Sequence, residues 1–295
     1  MDALSSRRVL PYLLVLPSIL MLIGLIIYPI SFSLINSFRQ WNLQTSPVPL
    51  GFVGLLNYRM VFETTPFLDA LRNTLILSIA GTFIEFWFGM GIALLLASQL
   101  KGTNAVRALL IMPTTIAPIV AGFLFRYMYY ERGGLITWLL TQVGFPVPVQ
   151  GLLGSSSTAL ASIALADVWQ WTPFFAIVLY AGLLSIPEDI KEAAIVDGAT
   201  GLRMFAWITL PSISRTAIIV VMIRFMQLFN MFDLVLVLTR GGPGTASRTL
   251  SYNLYQEGLV NYNIGVAAAM TWIIVIIVTI LINIYARVAF RGWEW

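Results

Sequence analysis

The sequence predicts an all-α membrane protein with about six transmembrane helices. Of its 295 residues, 59% are hydrophobic and only 10% are charged, whereas soluble domains carry about 25% charged residues. Apolar runs of roughly twenty residues, the length that crosses a hydrocarbon core of about 30 Å, recur along the chain. Because lipid offers no hydrogen-bond partner to a free backbone group, we expect each run to be a helix.

The six spans are predicted at about 9–37, 70–98, 105–128, 158–184, 208–238 and 263–287. The first apolar run is too long for a signal-peptide core and lacks a convincing small-residue cleavage site, so we interpret it as a retained span. Together with their connecting segments, the spans are expected to form one transmembrane domain over residues 1–295.

Lysine and arginine positions predict the orientation, because positive side chains are enriched on the cytoplasmic side. Placing both termini in the cytoplasm collects nine of them on that side: Arg7, Arg8, Lys101, Arg107, Lys191, Arg203, Arg215, Arg287 and Arg291. The other side collects seven: Arg39, Arg59, Arg72, Arg126, Arg132, Arg240 and Arg248. Both lysines lie on the first side, and the prediction is that both termini are cytoplasmic.

Composition excludes several classes of function. The chain has no cysteine and no histidine, so disulfides, thiol nucleophiles, imidazole chemistry and the usual zinc and haem ligands are absent. No ATP-binding loop of the Gly-x4-Gly-Lys-Ser/Thr kind occurs, and the net charge of +4 forms no basic stripe that would suit nucleic acid. We therefore predict no catalytic residue and no metal site, with membrane lipid as the surroundings.

A short helix outside the bilayer is predicted in the loop 185–207, between the fourth and fifth spans. Ser185 and Glu188 have the spacing of a capping box. Acidic residues follow in the first turn, where the helix dipole favours negative charge. Gly198 and Gly201 then end the helix before the chain enters the fifth span.

The same loop resembles the EAA loop of ABC importer permeases. The matching residues are Glu192-Ala193-Ala194, Gly198 after three further residues, and Ile208-Thr209-Leu210-Pro211 after nine more. The resemblance implies a cytoplasmic coupling helix that docks on a separate ATPase. The implied coupling residues are Glu188, Glu192, Ala193, Ala194, Asp197, Gly198, Leu210 and Pro211. The alternative is an interfacial helix that only links two spans.

Four further motifs resemble the carbohydrate branch of that family, which includes the maltose-type and glycerol-phosphate-type permeases. They are the segments 52–58, 70–75, 238–243 and 265–269. The resemblance implies a type I permease fold in the bacterial inner membrane. It also implies three partners: a second homologous permease subunit, a cytoplasmic ATPase dimer and an extracytoplasmic solute-binding protein. ATP and Mg²⁺ then belong to the ATPase, and this chain binds no cofactor.

Four ionisable residues lie well inside the predicted spans, where a charge near the bilayer centre costs about 2.5–3.5 kcal/mol on insertion scales. Glu85 and Arg224 lie deepest, and an ion pair between them is one interpretation. Asp167 and Asp233 are predicted nearer the outer ends, within reach of water.

The resemblance to maltose-type permeases also implies a substrate pathway. Matched by position, it falls on Gln170, Trp171, Phe174, Arg224, Gln227, Leu228 and Met231. The last four share one helix face, although a packing stripe has the same period and the tryptophans also suit an interfacial belt. Because guanidinium binds anions bidentately, our hypothesis is that Arg224 meets an anionic group on a sugar derivative.

The predicted function is thus the permease subunit of an ATP-driven importer for a sugar or sugar derivative. One alternative is a permease of another branch of the family, which carries amino acids, peptides or inorganic anions. A proton- or sodium-driven carrier working alone would explain the intramembrane carboxylates but not the coupling-loop motif. A membrane-embedded enzyme would need catalytic groups clustered at one depth.

Overall fold

The computed structural model describes residues 10–98 and 103–290, and its regular elements in these ranges are helices. They are α1 (Pro11–Ser37), α2 (Leu56–Thr64), α3 (Phe67–Ala97), α4 (Thr103–Thr115), α5 (Pro118–Met128), α6 (Leu135–Gln142), α7 (Gly151–Gly154), α8 (Ala159–Leu184), α9 (Glu188–Val196), α10 (202–212), α11 (Ser214–Phe229), α12 (Asp233–Leu238), α13 (250–260) and α14 (Ile264–Ala289).

The predicted fold class is confirmed. Within the described ranges, five helices are long and apolar enough to cross a membrane, and the number reaches six if one bent pair counts as a single span. Helices α1, α3, α8 and α14 begin and end within three residues of the predicted spans. Four basic residues used to predict the orientation lie outside the described residues: Arg7, Arg8, Lys101 and Arg291. Both chain ends lie there too, so their cytoplasmic placement stays a prediction.

The chain divides into two compact units, and the first comprises Met1–Thr65 and Leu254–Ile277. Here the Asn57 amide donates to the carbonyl oxygens of Ser37 and Arg39, at 2.9 and 2.8 Å, which fixes the turn after α1. Residues 11–32 of α1 are all exposed. A helix that is apolar all round and exposed along its length fits contact with lipid or with another helix.

The second unit comprises Pro66–Asn253 and Val278–Trp295, and its centre is the crossing of α3 and α8. A Cβ atom placed on Gly89 would lie only 2.4 Å from the Cβ of Phe175 and 3.0 Å from the Ala176 nitrogen. Glycine therefore lets the two backbones approach, as small residues do in membrane helix pairs. Buried side chains of α3, α8 and α11 and of their connections form the core that includes this crossing. They are Met90, Ala93, Phe175, Leu179, Leu183, Ile186, Ile213, Ala217 and Val220.

The third span differs from the prediction of one helix over 105–128. It is broken into α4 and α5, which meet at an angle of 97°. Pro118 opens α5 and has no N–H to donate, and a residue before proline is driven from the helical region. Ala117 accordingly has φ −59° and ψ 136°.

The fifth span also differs from the predicted 208–238. Residues 202–212 form the separate helix α10, and Ile213, at φ −98° and ψ 9°, separates it from α11. The span then begins at Ser214 and is interrupted between Phe229 and Asp233 before α12 completes it.

A single methyl group at the crossing should destabilise the chain. We expect Gly89→Ala to cost about 1–3 kcal/mol, because a tightly packed site must shift to accept extra volume. The measurement is the thermal unfolding midpoint of the purified chain in detergent.

Gly91 supplies the matched control, since a Cβ there meets nothing within 4 Å on the same helix. Gly91→Ala should leave stability unchanged or raise it by up to about 1 kcal/mol, because alanine is the better helix former. Equal midpoints for the two variants would contradict the close crossing.

Candidate functional site

The predicted surface helix is present as α9, and backbone hydrogen bonds close its C-terminal end. Pro187 precedes its first turn, and no side chain caps that end. The expected capping box does not form, because the Ser185 hydroxyl donates instead to the Gly182 carbonyl at 2.7 Å. Glu188 and Asp189 do occupy the first turn as predicted. The ammonium of Lys191 contacts Glu188 at 2.9 Å.

The C-terminal end of α9 forms a Schellman motif around Gly198. The Gly198 N–H donates to the Ile195 carbonyl at 3.0 Å, and the Ala199 N–H donates to the Ala194 carbonyl at 2.8 Å. Gly198 has φ +79°, a left-handed conformation that glycine adopts without strain. A residue with a side chain is disfavoured there by its backbone, although the space around it is open.

Most of the predicted coupling residues lie on an exposed surface. Glu188, Glu192, Ala193, Asp197, Gly198 and Pro211 are exposed, Leu210 is half-buried and Ala194 is buried. Large apolar side chains are exposed beside them, including Val196 at 86% and Leu202 at 85%. This surface therefore combines acidic and apolar groups that make few contacts within the chain.

Helix α10 connects this surface to the core. Phe205 and Leu210 pack against the buried cluster of α3, α8 and α11, and the Phe205 and Trp87 rings lie 6.5 Å apart. Ile213, between α10 and α11, belongs to the same cluster. A displacement of α9 would therefore act on packed side chains and not on a loose linker.

The predicted pathway residues fall into two groups. Gln170, Arg224, Leu228 and Met231 are buried. The prediction of one shared helix face was wrong for Met231, because α11 ends at Phe229. Arg224 and Leu228 pack inside the bundle in this conformation. Leu228, for example, lies against Gly81 of α3. Trp171 and Phe174 are half-buried and Gln227 is exposed. A role for all seven in the pathway stays a prediction, and only the second group offers accessible surface.

Arg224 is the centre of a buried charge cluster that joins α3, α8 and α11. Its Nε donates to Glu85 Oε2 at 2.8 Å, and its Nη2 donates to Glu85 Oε1 at 3.0 Å. The same Nη2 also donates to Asp167 Oδ2. The exposed fractions are 2% for Arg224, 0% for Glu85 and 3% for Asp167. The structure therefore shows the Glu85–Arg224 ion pair, and Asp167 adds a second carboxylate to it.

The expected water-accessible position of Asp167 was wrong. Its carboxylate lies in the interior, because the guanidinium of α11 draws it inward and compensates its burial. Asp233, by contrast, begins α12 and is half-buried. The sequence signal for the cluster was the presence of three ionisable residues inside spans, which rarely occurs unless they pair.

Two accessible side chains lie directly on this cluster. The guanidinium carbon of Arg224 lies 4.9 Å from the centroid of the Trp171 ring, within the range of a cation–π contact. Its Nη1 is 3.4 Å from Gln227 Oε1. The Trp171 and Phe174 rings pack edge to face with centroids 6.2 Å apart. Arg224 thus positions the surface formed by Trp171, Phe174 and Gln227.

Gln170 has a structural role that the sequence did not indicate. Its amide nitrogen donates to the Ile116 carbonyl at 2.7 Å. That carbonyl lies at the 97° corner between α4 and α5, where the regular helical bonds stop. Gln170 therefore ties the corner to α8, and its own Oε1 is buried without a partner.

One of the carbohydrate-branch motifs, segment 70–75, holds the loop that follows the motif 238–243. The Asn73 amide, from segment 70–75, donates to the carbonyls of Thr245 and Arg248 at 2.8 and 3.0 Å. Thr74 accepts from the Leu250 N–H at 2.9 Å. The loop that follows α12 is thereby held on the first turns of α3. The sequence showed the motif 70–75 but not its contact with residues 245–250.

An apolar groove of about 1180 Å³ also lies in the second unit, along α3, α4 and α8. Its lining includes Ile84, Phe88, Leu109 and Trp169 but none of the seven predicted pathway residues. Hydrocarbon chains or another apolar helix suit such a lining better than a hydroxyl-rich solute.

Comparison with known proteins identifies similar chains over most of the length. The family described as "Binding-protein-dependent transport system inner membrane component" matches residues 86–292. The trehalose/maltose transport system permease protein MalF of Thermococcus litoralis is 34% identical over 276 residues, which cover 92% of each chain. The sn-glycerol-3-phosphate transport system permease protein UgpA of Agrobacterium fabrum is 32% identical over 280 residues, covering 93% of this chain and 92% of that one.

A solved structure has the same fold at lower sequence identity. It is a bacterial ABC transporter involved in the import of the acidic polysaccharide alginate, and one of its chains matches with a TM-score of 0.83. The match covers 98% of this chain and 97% of that one at 22% identity. At this sequence identity, the similarity shows the fold but does not indicate the substrate of this chain.

Removing the positive charge of the cluster should cost far more than removing an exposed one. Arg224→Leu leaves two buried carboxylates without a cation, which should cost about 3–5 kcal/mol. Arg59→Leu breaks the exposed Arg59–Glu63 pair and should cost less than about 1 kcal/mol. Unfolding of the two purified variants in detergent measures the difference.

The triple variant Glu85→Gln/Asp167→Asn/Arg224→Gln removes every charge of the cluster and should recover most of the lost stability. A triple variant as unstable as Arg224→Leu would show that charge pairing is not the cause. An Arg224→Leu chain that is stable but has lost only the uptake of an anionic sugar would instead support the hypothesis of a substrate ligand.

Proposed function

Because the chain belongs to the family of inner-membrane components of binding-protein-dependent transport systems, we propose that it is the membrane-spanning permease subunit of an ATP-driven ABC importer for a sugar or sugar derivative. Permeases of this family are transport subunits and not enzymes. The finer assignments below concern the partners, the orientation and the substrate.

The surface helix α9 carries this proposal. It lies between two long apolar helices, exposes Glu192 and apolar side chains, and ends in a glycine turn. Apart from the buried Ala194, most of its side chains have little packing role inside the chain, and they suit a cleft on a partner protein. We assign the partner as a cytoplasmic ATPase dimer, which holds ATP and Mg²⁺. Closure of that dimer would move α9 and, through Phe205 and Ile213, the helices of the core.

Two further partners follow from the family's mode of transport. A second, homologous permease subunit would complete the translocation pathway, and the exposed apolar length of α1 supports contact with either lipid or that subunit. An extracytoplasmic solute-binding protein would deliver the substrate, as the description of the matching family indicates. If α9 is cytoplasmic, the even number of membrane spans before it and the even number after it put both termini in the cytoplasm as well.

The substrate class rests on the relatives and on one accessible surface. MalF of Thermococcus litoralis serves trehalose and maltose, while UgpA serves a phosphorylated glycerol, so the relatives include neutral and anionic solutes. Trp171, Phe174 and Gln227 offer two aromatic faces and one amide. Aromatic faces stack on the C–H surfaces of a sugar, and the amide can bond its hydroxyls. Arg224 is occupied by carboxylates, so we give it a positioning role in this conformation.

A bulky residue at Gly198 should separate the chain from its ATPase. We expect Gly198→Val to disturb the turn that ends α9 and to reduce ATPase recovery at least tenfold when the tagged chain is purified gently from its native membrane. Gly144→Val is the matched control, because Gly144 also has a positive φ, +76°, and open surroundings but lies in another loop.

Equal loss of the ATPase from both variants would attribute the effect to general misfolding. Recovery of the wild-type chain alone, still able to transport solute without ATP, would contradict the importer and favour a self-sufficient carrier.

The amide of Gln227 should affect substrate affinity more than assembly. Gln227→Ala should raise the KM for uptake roughly three- to tenfold, since losing one hydrogen bond to a neutral group costs about 0.5–1.5 kcal/mol. The exposed Gln142 on α6 is the control, and Gln142→Ala should leave KM unchanged. Uptake of labelled sugar into cells measures both. An unchanged KM in Gln227→Ala would remove Gln227 from the pathway.

A further inference from the structure

The charge cluster in the second unit has two carboxylates for one cation. Glu85 receives two hydrogen bonds from the guanidinium of Arg224, and Asp167 shares one of the same nitrogens. All three side chains are at least 95% buried. An arginine side chain keeps its proton in proteins, so two ionised carboxylates would leave one negative charge uncompensated inside the helix bundle.

No other cation on the neighbouring described helices is placed to supply the missing charge. Arg107 of α4 donates to the Tyr180 hydroxyl, and Arg126 of α5 donates to the Val237 carbonyl at 3.1 Å. On α3, Arg72 lies thirteen residues before Glu85, about 20 Å along a helix. Four further titratable groups lie nine or more residues along the chain from the nearest cluster residue: Asp69, Tyr180, Arg215 and Asp233. Tyr127 and Tyr129 lie at the end of α5, and the Tyr129 hydroxyl donates to the Ser162 carbonyl of α8 at 2.7 Å.

Buried polar atoms without partners adjoin the cluster on both sides. On α3, the hydroxyls of Thr82 and Ser78 lie three and seven residues before Glu85 and have no hydrogen-bond partner. On α8, Gln170 follows Asp167 by three residues, and its Oε1 also has none. Residues three, four or seven apart share a helix face. A row of buried hydroxyl and carbonyl oxygens can accept a hydrogen bond from an acid or hold water beside it.

We propose that the Glu85–Asp167–Arg224 cluster binds one exchangeable proton, held as a carboxylic acid between the two carboxyl groups. The proton comes from hydronium in the surrounding water: one O–H bond of hydronium breaks, one O–H bond forms on a carboxylate oxygen, a water molecule is released, and no electron is transferred. The cluster is then electrically neutral, as its depth in an apolar bundle favours. As pH rises, loss of this proton leaves a net negative charge that pushes the two carboxylates, and with them α3 and α8, apart.

A protonated carboxylic acid is directly visible in the infrared, because its carbonyl stretch is separate from that of a carboxylate and shifts in D₂O. The full chain, purified from its membrane, should show this band at neutral pH and lose it reversibly on alkalinisation. The number of carboxylates that remain for each guanidinium determines the expected result for each variant. Glu85→Gln and Asp167→Asn each leave one carboxylate for one guanidinium, so each should abolish the band. Arg224→Gln leaves two carboxylates and should double it.

Glu63→Gln is the control, because Glu63 belongs to an exposed pair with Arg59, and it should leave the band unchanged. If the cluster variants do not fold, the reversible pH titration of the wild-type band still tests the proposal. The absence of the band from the wild-type chain at neutral pH would overturn it. So would a stability that depends on Na⁺ and not on pH, which would assign the missing charge to a metal cation.

Discussion

The ion pairs of Arg224 hold together the part of the molecule that the proposed transport depends on. One guanidinium contacts a carboxylate on α3 and another on α8 while belonging to α11. In an apolar medium these helices gain little from burying hydrocarbon against each other, because lipid is equally apolar. A charge cluster and a close glycine crossing therefore supply the specificity of packing that a hydrophobic core gives to a soluble protein.

The same interaction also positions the accessible surface formed by Trp171, Phe174 and Gln227. Trp171 contacts the guanidinium through its ring, and Gln227 contacts it through its amide. Phe174 packs on Trp171 in turn. A solute that contacts these side chains therefore contacts a surface whose geometry is fixed by the buried charge cluster.

Sequence reasoning identified what depends on composition and local motif. The apolar runs predicted the ends of α1, α3, α8 and α14 to within three residues. They could do so because crossing a bilayer constrains both the length and the hydropathy of a helix. Helix α9 and its glycine turn were also predicted, since acidic residues, alanines and Gly198 act through neighbours in the chain. Ser185 shows where local reasoning stops: its hydroxyl had a competing acceptor in the preceding helix.

Features that depend on distant residues could not be predicted. The corner between α4 and α5 needed Pro118 and the buried amide of Gln170, which lies 54 residues from its acceptor. Asp167 was assigned to water because it lies toward the outer end of its predicted span, whereas its actual partner, Arg224, is 57 residues away. The period of Arg224, Leu228 and Met231 is shared by lining and by packing helices, so only the observed burial distinguishes the two.

The way α9 ends has a consequence for how motion is transmitted. Its last turn is closed by backbone hydrogen bonds around Gly198, and the next helical residues follow within a few positions. A junction closed by the main chain keeps nearly the same length when its exposed side chains change. In the proposed assembly, side chains on α9 can therefore diverge to match different ATPases while the displacement transmitted to the bundle stays the same.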